Sequence, residues 1–185
     1  MKHYFSIIII ALSITSCSKP SDLQLDFNCK TQHFTNTEKV DDVQNKFAIT
    51  VPKHWKTSLF FNNYQTQIQT ADTVKKFSET YILITALNNG DLQVNEAFKD
   101  KKIKQYEEDA FENAKYKFVT FKGKPSIWFL AKGRKLNKTY HYFQLFIKNS
   151  PTDYFEFTTE IYGDNLIDER LCESIALMGE FEVLK

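Results

Sequence analysis

Residues 47–55 read Phe47-Ala48-Ile49-Thr50-Val51-Pro52-Lys53-His54-Trp55. Phe47, Ile49 and Val51 recur at every second position, the period of a strand that turns one row of side chains inward. Pro52 closes the run, because proline has no N–H to offer a ladder. Trp55 is a large ring placed just past that stop, where it reads as a core plug. Working outward, Asp26 to Phe34 reads as a first strand and Asn36 to Asn45 as a polar loop. Downstream, Trp55 to Phe61 and Gln65 to Thr70 form a hairpin about Asn62-Asn63. Thr80 to Leu87 is apolar enough for a central strand, and Asn88-Asn89-Gly90-Asp91 is a turn.

The second half alternates differently. Asn95 to Ala114 is a helix candidate with Asn95 as N-cap, and its apolar phase drifts enough to predict a break near 99–102. Four β-rich runs follow, at 115–121, 125–132, 139–148 and 153–161, with turns at Lys122-Gly123, Gly133 to Asn137 and Asn149-Ser150-Pro151. The run from Tyr140 to Ile147 is apolar at both parities, as in a strand covered on both faces. Gly163-Asp164-Asn165 caps a last helix over about 165–178, with Leu166, Ile167, Leu171, Ile175 and Met178 as its stripe. The order predicts an α+β fold. A central antiparallel meander sheet lies between a mid-chain helix and a C-terminal helix, an α/β/α sandwich.

The 47–55 stretch resembles the F-x-I-x-x-P-x-x-W opening of Mog1/PsbP-like domains, with His54 standing where that family often has Gly. The resemblance extends over about 47–182 in the order of elements. It implies an α/β/α sandwich on an antiparallel sheet and a binding or assembly scaffold, because known members are mostly non-enzymatic. It assigns no functional residue in this chain.

The N-terminus carries an address. Residues 1–16 have a short polar start at Lys2-His3 and then an apolar stretch from Phe5 to Ile14, too short to span a bilayer. Ile14-Thr15-Ser16-Cys17 resembles a bacterial lipobox, so Cys17 is expected to become the acylated first residue of a mature lipoprotein. Two or three acyl chains anchor stably where one is marginal. Ser18, in place of Asp, favours the outer membrane. The domain plan is a signal peptide over 1–16, the acylated Cys and a tether over 17–24, and one domain over 25–185. Cys29 and Cys172 are then an even pair in an oxidising compartment. They are open to two readings, a disulfide or two buried free thiols.

Composition sets limits on chemistry. The 185 residues carry a net charge of +1, with 42% hydrophobic, 25% charged and 15% aromatic residues. That is a globular balance and not that of a nucleic-acid binder. The phosphate-loop, dinucleotide, zinc-protease and nucleophile-elbow motifs are missing from the sequence. His33, His54 and His141 are isolated, so no catalytic residue, metal or cofactor is assigned beyond the covalent lipid at Cys17. Asp164, Asp168 and Glu169 read as acids favoured at a helix N-terminus. Tyr140, Tyr142 and Gln144 share a parity, which leaves open whether that face is wet or core under a helix. Eight bases and no acid lie between Lys115 and Lys138: Lys115, Lys117, Lys122, Lys124, Lys132, Arg134, Lys135 and Lys138. Nine acids and one base lie between Pro151 and Glu182. The basic set is a candidate patch for an anionic partner (an acidic protein, a lipid headgroup or a glycan) or else a solvated sheet edge. Asp72-Thr73-Val74 resembles a short acceptor motif for O-glycosylation at Thr73. The expectation is a membrane-anchored, non-catalytic binding or assembly factor. Its rivals are a small-ligand, ion or glycan-binding lipoprotein and an unrecognised hydrolase.

Overall fold

Ten strands and three helices follow the chain in a computed structural model that describes residues 21–184. The expected signal peptide and Cys17 lie outside the described residues. Helix α1 (Asp22–Asp26) opens the fold, then β1 (Thr37–Asp41), β2 (Phe47–Pro52), β3 (Lys56–Phe61), β4 (Gln65–Ala71) and β5 (Tyr81–Asn89). Helix α2 (Glu96–Glu108) precedes β6 (Glu112–Phe121), β7 (Lys124–Lys135), β8 (Lys138–Lys148) and β9 (Asp153–Tyr162). Helix α3 (Ile167–Gly179) and β10 (Phe181–Val183) close it.

The large sheet has the order β3-β4-β5-β9-β8-β7-β6, antiparallel throughout. β5 enters next to β9 and not next to β6, because α2 carries the chain across the sheet to its far edge. Alternation then divides the side chains. Leu83, Phe143, Leu145, Phe155 and Phe157 point to one face, and Ile127, Phe129 and Phe146 to the other. The first face is closed by α3, by α1 and by a second sheet of order β1-β2-β10. Phe47 of β2 meets Phe155 edge-on at 5.5 Å, and Phe181 of β10 meets Phe155 at 4.6 Å. Among the described residues, α2 is the helix that covers the second face.

Several sequence expectations need correction. The first strand expected at 26–34 is absent: α1 occupies Asp22–Asp26, fixed by a capping box between Ser21 and Gln24. Residues 22–24, read as tether, therefore belong to a helix whose Leu23 is 1% exposed. The loop expected at 36–45 contains β1, whose Glu38, Lys39 and Asp41 hid a strand recognisable only by its pairing to β2. The long helix stops at Glu108 without a break at 99–102, because Ala110 takes a left-handed φ of 59° and releases the chain into β6. The 163–165 cap is also not observed: Leu166 is the N-cap, and its side chain makes no capping bond. The short β10 and the separate small sheet were not legible in the sequence.

Two buried ionic groups hold junctions. Asp42 is 2% exposed and accepts the N–H groups of Gln44, Lys46 and Phe47 and the hydroxyl of Thr66 on β4. Burial pushes its carboxyl up, but those four bonds outweigh it and leave it below the ordinary value. Arg170 is also 2% exposed and donates to the carbonyls of Thr80, Tyr162, Gly163 and Asn165. It thereby ties the start of α3 to the ends of β5 and β9. Cys29 and Cys172 form a disulfide with a Cα–Cα separation of 5.2 Å, joining the segment after α1 to α3 across 143 residues of chain. Closing a loop of that length stabilises by about 5 kcal/mol in the chain-entropy model. The double variant Cys29→Ser, Cys172→Ser should lose stability of that order in urea unfolding, and dithiothreitol should lower the parent to the same midpoint. An unchanged midpoint in both would refute the bond's structural role.

Candidate functional site

The open part of the α2-facing sheet surface forms a cleft of about 660 Å³. Its floor is the inward parity of β8 and β9: Tyr140, Tyr142, Gln144 and Phe146, with Tyr154, Glu156 and Glu160 beside them. Its wall is α2, through Phe98, Lys101, Lys102, Gln105 and Tyr106. The wall continues into Phe111, whose ring stacks on Tyr142 at 5.3 Å. Gly133 allows this: a Cβ there would meet the Phe111 ring at 3.1 Å, so any larger residue would push the ring out of the wall.

A polar chain crosses the floor. The Tyr106 hydroxyl donates to Gln144 Oε1 at 2.5 Å, and Gln144 Nε2 donates to the Glu156 carboxylate. Thr158 also donates to Glu156, at 3.3 Å. Burial raises the Glu156 carboxyl above its ordinary value, opposed by Lys102 and by its bonds to Thr158 and Gln144. Lys102 lies 5.0 Å over the Tyr106 ring and 5.1 Å over Phe146, and burial lowers its own ammonium. Burial shifts the Tyr106 and Tyr142 hydroxyls up, so both stay protonated. At the open end Lys135 sits 4.9 Å over Tyr140 and 3.5 Å from Glu160. The cleft thus presents aromatic rings and fixed hydrogen-bonding groups with charges of both signs.

The candidate basic patch is divided by the fold. Lys122 and Lys124 lie at the β6–β7 turn, while Lys132, Arg134, Lys135 and Lys138 lie toward and at the β7–β8 turn, about 26 to 36 Å away along the strand. Lys122 donates to the Phe181 carbonyl and Lys124 to Asn149. Lys117 pairs with Asp26, and Lys115 lies beside it on the same face of β6. Lys132 is 3.7 Å from Asp164. Arg134 and Lys135 line the main cleft, and Lys132 and Arg134 line a neighbouring hollow of about 420 Å³ with Asp109, Glu112 and Thr139. Lys132, Arg134 and Lys135 are thus the members of the set that line these two hollows. The shared parity of Tyr140, Tyr142 and Gln144 carried two readings in the sequence, a wet face or core under a helix, and the helix proves to be α2. Those side chains are both core under a helix and edge of a wet cleft.

The remaining candidates sit elsewhere. His141 Nε2 is 3.2 Å from Asp164, on the face of β8 opposite Tyr140 and Tyr142. The Thr139 hydroxyl donates to Asp164 and not to the imidazole. Asp164 therefore serves a surface cluster and not the α3 terminus. His54 is 3.5 Å from the buried Asp72. Asp72 also accepts the N–H groups of Val74 and Lys75, a turn that leaves Thr73 exposed. Trp55 is core, edge-on to Tyr81 at 5.3 Å. Trp128 is core too, and its indole N–H donates to Asp26 at 3.0 Å. Among the described residues no cluster of three or more His, Cys, Asp or Glu is arranged to hold a metal.

Glu156 makes the cleft pH-sensitive. Its folded form holds the proton more tightly than the unfolded chain does, so its contribution to stability is complete below the ordinary carboxylate value. That contribution is lost as pH rises through the raised folded value. Glu156→Gln should accordingly gain stability on the parent between about pH 4 and pH 8, read as diverging urea midpoints. Parallel midpoints across that range would show that the carboxylate is not strained by burial.

No family model matches the chain, and no curated protein matches it. Its fold is nonetheless shared. The solution structure of cyanobacterial PsbP (CyanoP) from Synechocystis sp. PCC 6803 aligns at TM-score 0.56 and 10% identity, covering 84% of this chain and 96% of that one. A crystal structure from Bacteroides thetaiotaomicron aligns at TM-score 0.51 and 10% identity, covering 82% of this chain but 50% of that one. The α+β, Mog1/PsbP-like architecture expected from residues 47–55 is therefore the architecture of this chain.

Proposed function

We propose that this chain is a membrane-anchored lipoprotein of the bacterial cell envelope that binds a ligand or partner without transforming it. The cleft beneath α2 is its binding site. The observation that carries this reading is the floor of that cleft. Tyr106, Gln144 and Glu156 are bonded to one another, which suits a rigid recognition surface better than a group poised for proton transfer. The partner in this reading is anionic: Lys101, Lys102, Arg134 and Lys135 outnumber Asp109, Glu156 and Glu160 along the cleft, and Lys132 borders the hollow beside it. An acidic protein segment, a lipid headgroup and an acidic glycan share that chemistry.

Anchoring follows from the Cys17 motif and Ser18, which favour acylation and the outer membrane. Among the described residues no helix is long and apolar enough to cross a membrane. Cys17→Ser should move the protein from the membrane to the soluble fraction, and the intact mass of the parent should show diacylglycerol and an acyl chain. A parent of unmodified mass would remove the anchor from the proposal.

Crosslinking in cells, followed by mass spectrometry, tests the site. The parent should capture an anionic species at 132–138, and the combined change of Lys132, Arg134 and Lys135 to Glu should reduce capture at low salt at least tenfold. The captured material distinguishes protein from lipid and glycan. Undiminished capture by that variant would place the binding surface elsewhere.

A further inference from the structure

The two edges of the large sheet are finished differently. β6 carries a bulge between Glu112 and Lys115, has Lys115 and Lys117 along it, and has α1 and α2 packed against it. Those are the devices that stop one sheet edge from pairing with another. β3 has none of them apart from Lys56 at its first position. Among the described residues, its outer row of N–H and C=O groups has no strand beside it. Leu59 is 42% exposed, Phe60 48%, Phe61 62% and Tyr64 78%. Asn62 fixes the hairpin end by accepting the N–H groups of Tyr64 and Gln65, so Tyr64 is held out in a defined turn.

The pleat places these groups on both sides of the edge. Leu59 and Phe61 lie opposite Ile68 and Thr66 on the core-side face, while Phe60 lies opposite Gln67 on the other. A lipid surface does not suit this arrangement, because an open strand edge keeps unsatisfied backbone groups that hydrocarbon cannot pair. A further strand satisfies the backbone and covers both faces at once.

We propose that the occupant is a second copy of this chain, with β3 pairing antiparallel to its counterpart to join two seven-stranded sheets into one. A two-fold axis normal to the sheet keeps each face continuous, and it centres the pairing on Leu59 or Phe60. Centred on Leu59, Phe60 faces Ser58 and Phe61 faces Thr57. Centred on Phe60, Leu59 faces Phe61. In either register the two Lys56 side chains stand at opposite ends, so no like charges meet. The exposed apolar side chains amount to roughly 400 Å² per copy, given the 150–250 Å² that an aromatic can bury. The resulting interface is at the small end for specific complexes, so the dimer is reversible. Confinement of both copies to one membrane would raise their effective concentration and favour it.

The test uses the full-length chain in its membrane. Ser58→Cys on β3 and Tyr116→Cys on β6 are each treated with a short bis-maleimide. Dimer of twice the chain mass is expected from Ser58→Cys and at least tenfold less from Tyr116→Cys. Adding Phe60→Lys and Phe61→Lys to Ser58→Cys should cut the dimer at least tenfold, while circular dichroism shows the fold retained. Equal crosslinking at both edges, or none at either, would overturn the proposal. So would a Ser58→Cys product of another discrete mass, which would assign the edge to a strand from a different protein. The cleft variants leave this readout untouched, so failure here is separable from failure of the binding site.

Discussion

Coverage of the large sheet is the constraint from which the other features follow. Seven strands span about 29 Å between the outer strand axes, and a single helix is only about 10 Å across. The core-side face meets this demand with α3, α1 and a second sheet, and Phe47, Phe143, Phe155 and Phe157 are fully buried there. The other face has, among the described residues, only α2, seated over β7 and β8. Beyond that helix the surface must be wet or be covered by something else. The strands comply: Gln65, Gln67 and Gln69 of β4 point to this open side while Thr66, Ile68 and Thr70 are buried on the other. The cleft is the boundary where helical cover ends.

The same constraint explains the polar chain in the cleft. A carboxylate at Glu156 is costly next to Phe146 and Tyr154 unless it is bonded and offset by charge. Gln144, Thr158 and Lys102 provide that, and the arrangement specifies one rotamer for each group. On the covered face the ionic groups have a different role. Asp42 and Arg170 are paired almost wholly with backbone atoms, so they serve chain geometry and have nothing left for a ligand. The disulfide acts on the same face, clamping α3 to the segment after α1 and so closing the layer over Trp128 and Phe143.

Charge illustrates how tertiary structure redistributes a linear pattern. The basic run at 115–138 and the acidic run at 151–182 look like opposing poles in the sequence. Folding brings parts of them together: Lys135 meets Glu160 and Lys132 meets Asp164. Lys122 turns instead to the Phe181 carbonyl. These exposed pairs contribute little to stability. Their consequence is to leave a modest rim of positive charge at the β7–β8 turn in place of an extended patch.

How much of this was legible depended on the range of the signal. Strand period and proline stops are local, so β2 to β5 and the meander from β6 to β9 could be placed to within a few residues. The opening at 47–55 carried the architecture because Trp55 and the strand before it are both core. The pairing of Cys29 with Cys172 was legible as one of two readings, since a count of thiols cannot supply a distance. Other features were set by contacts over long separations. β1 is polar and becomes a strand only against β2, and β10 is three residues that pair with the same strand. The cleft needs α2 to cross the sheet, and the bare edge at β3 needs the strand order. Sequence by itself determined which segments alternate, where the chain turns and which cysteines could pair, because those depend on neighbouring residues. Tertiary structure alone decided which sheet face is left open and which edge is left bare, because cover depends on the spacing of strands against the width of a helix.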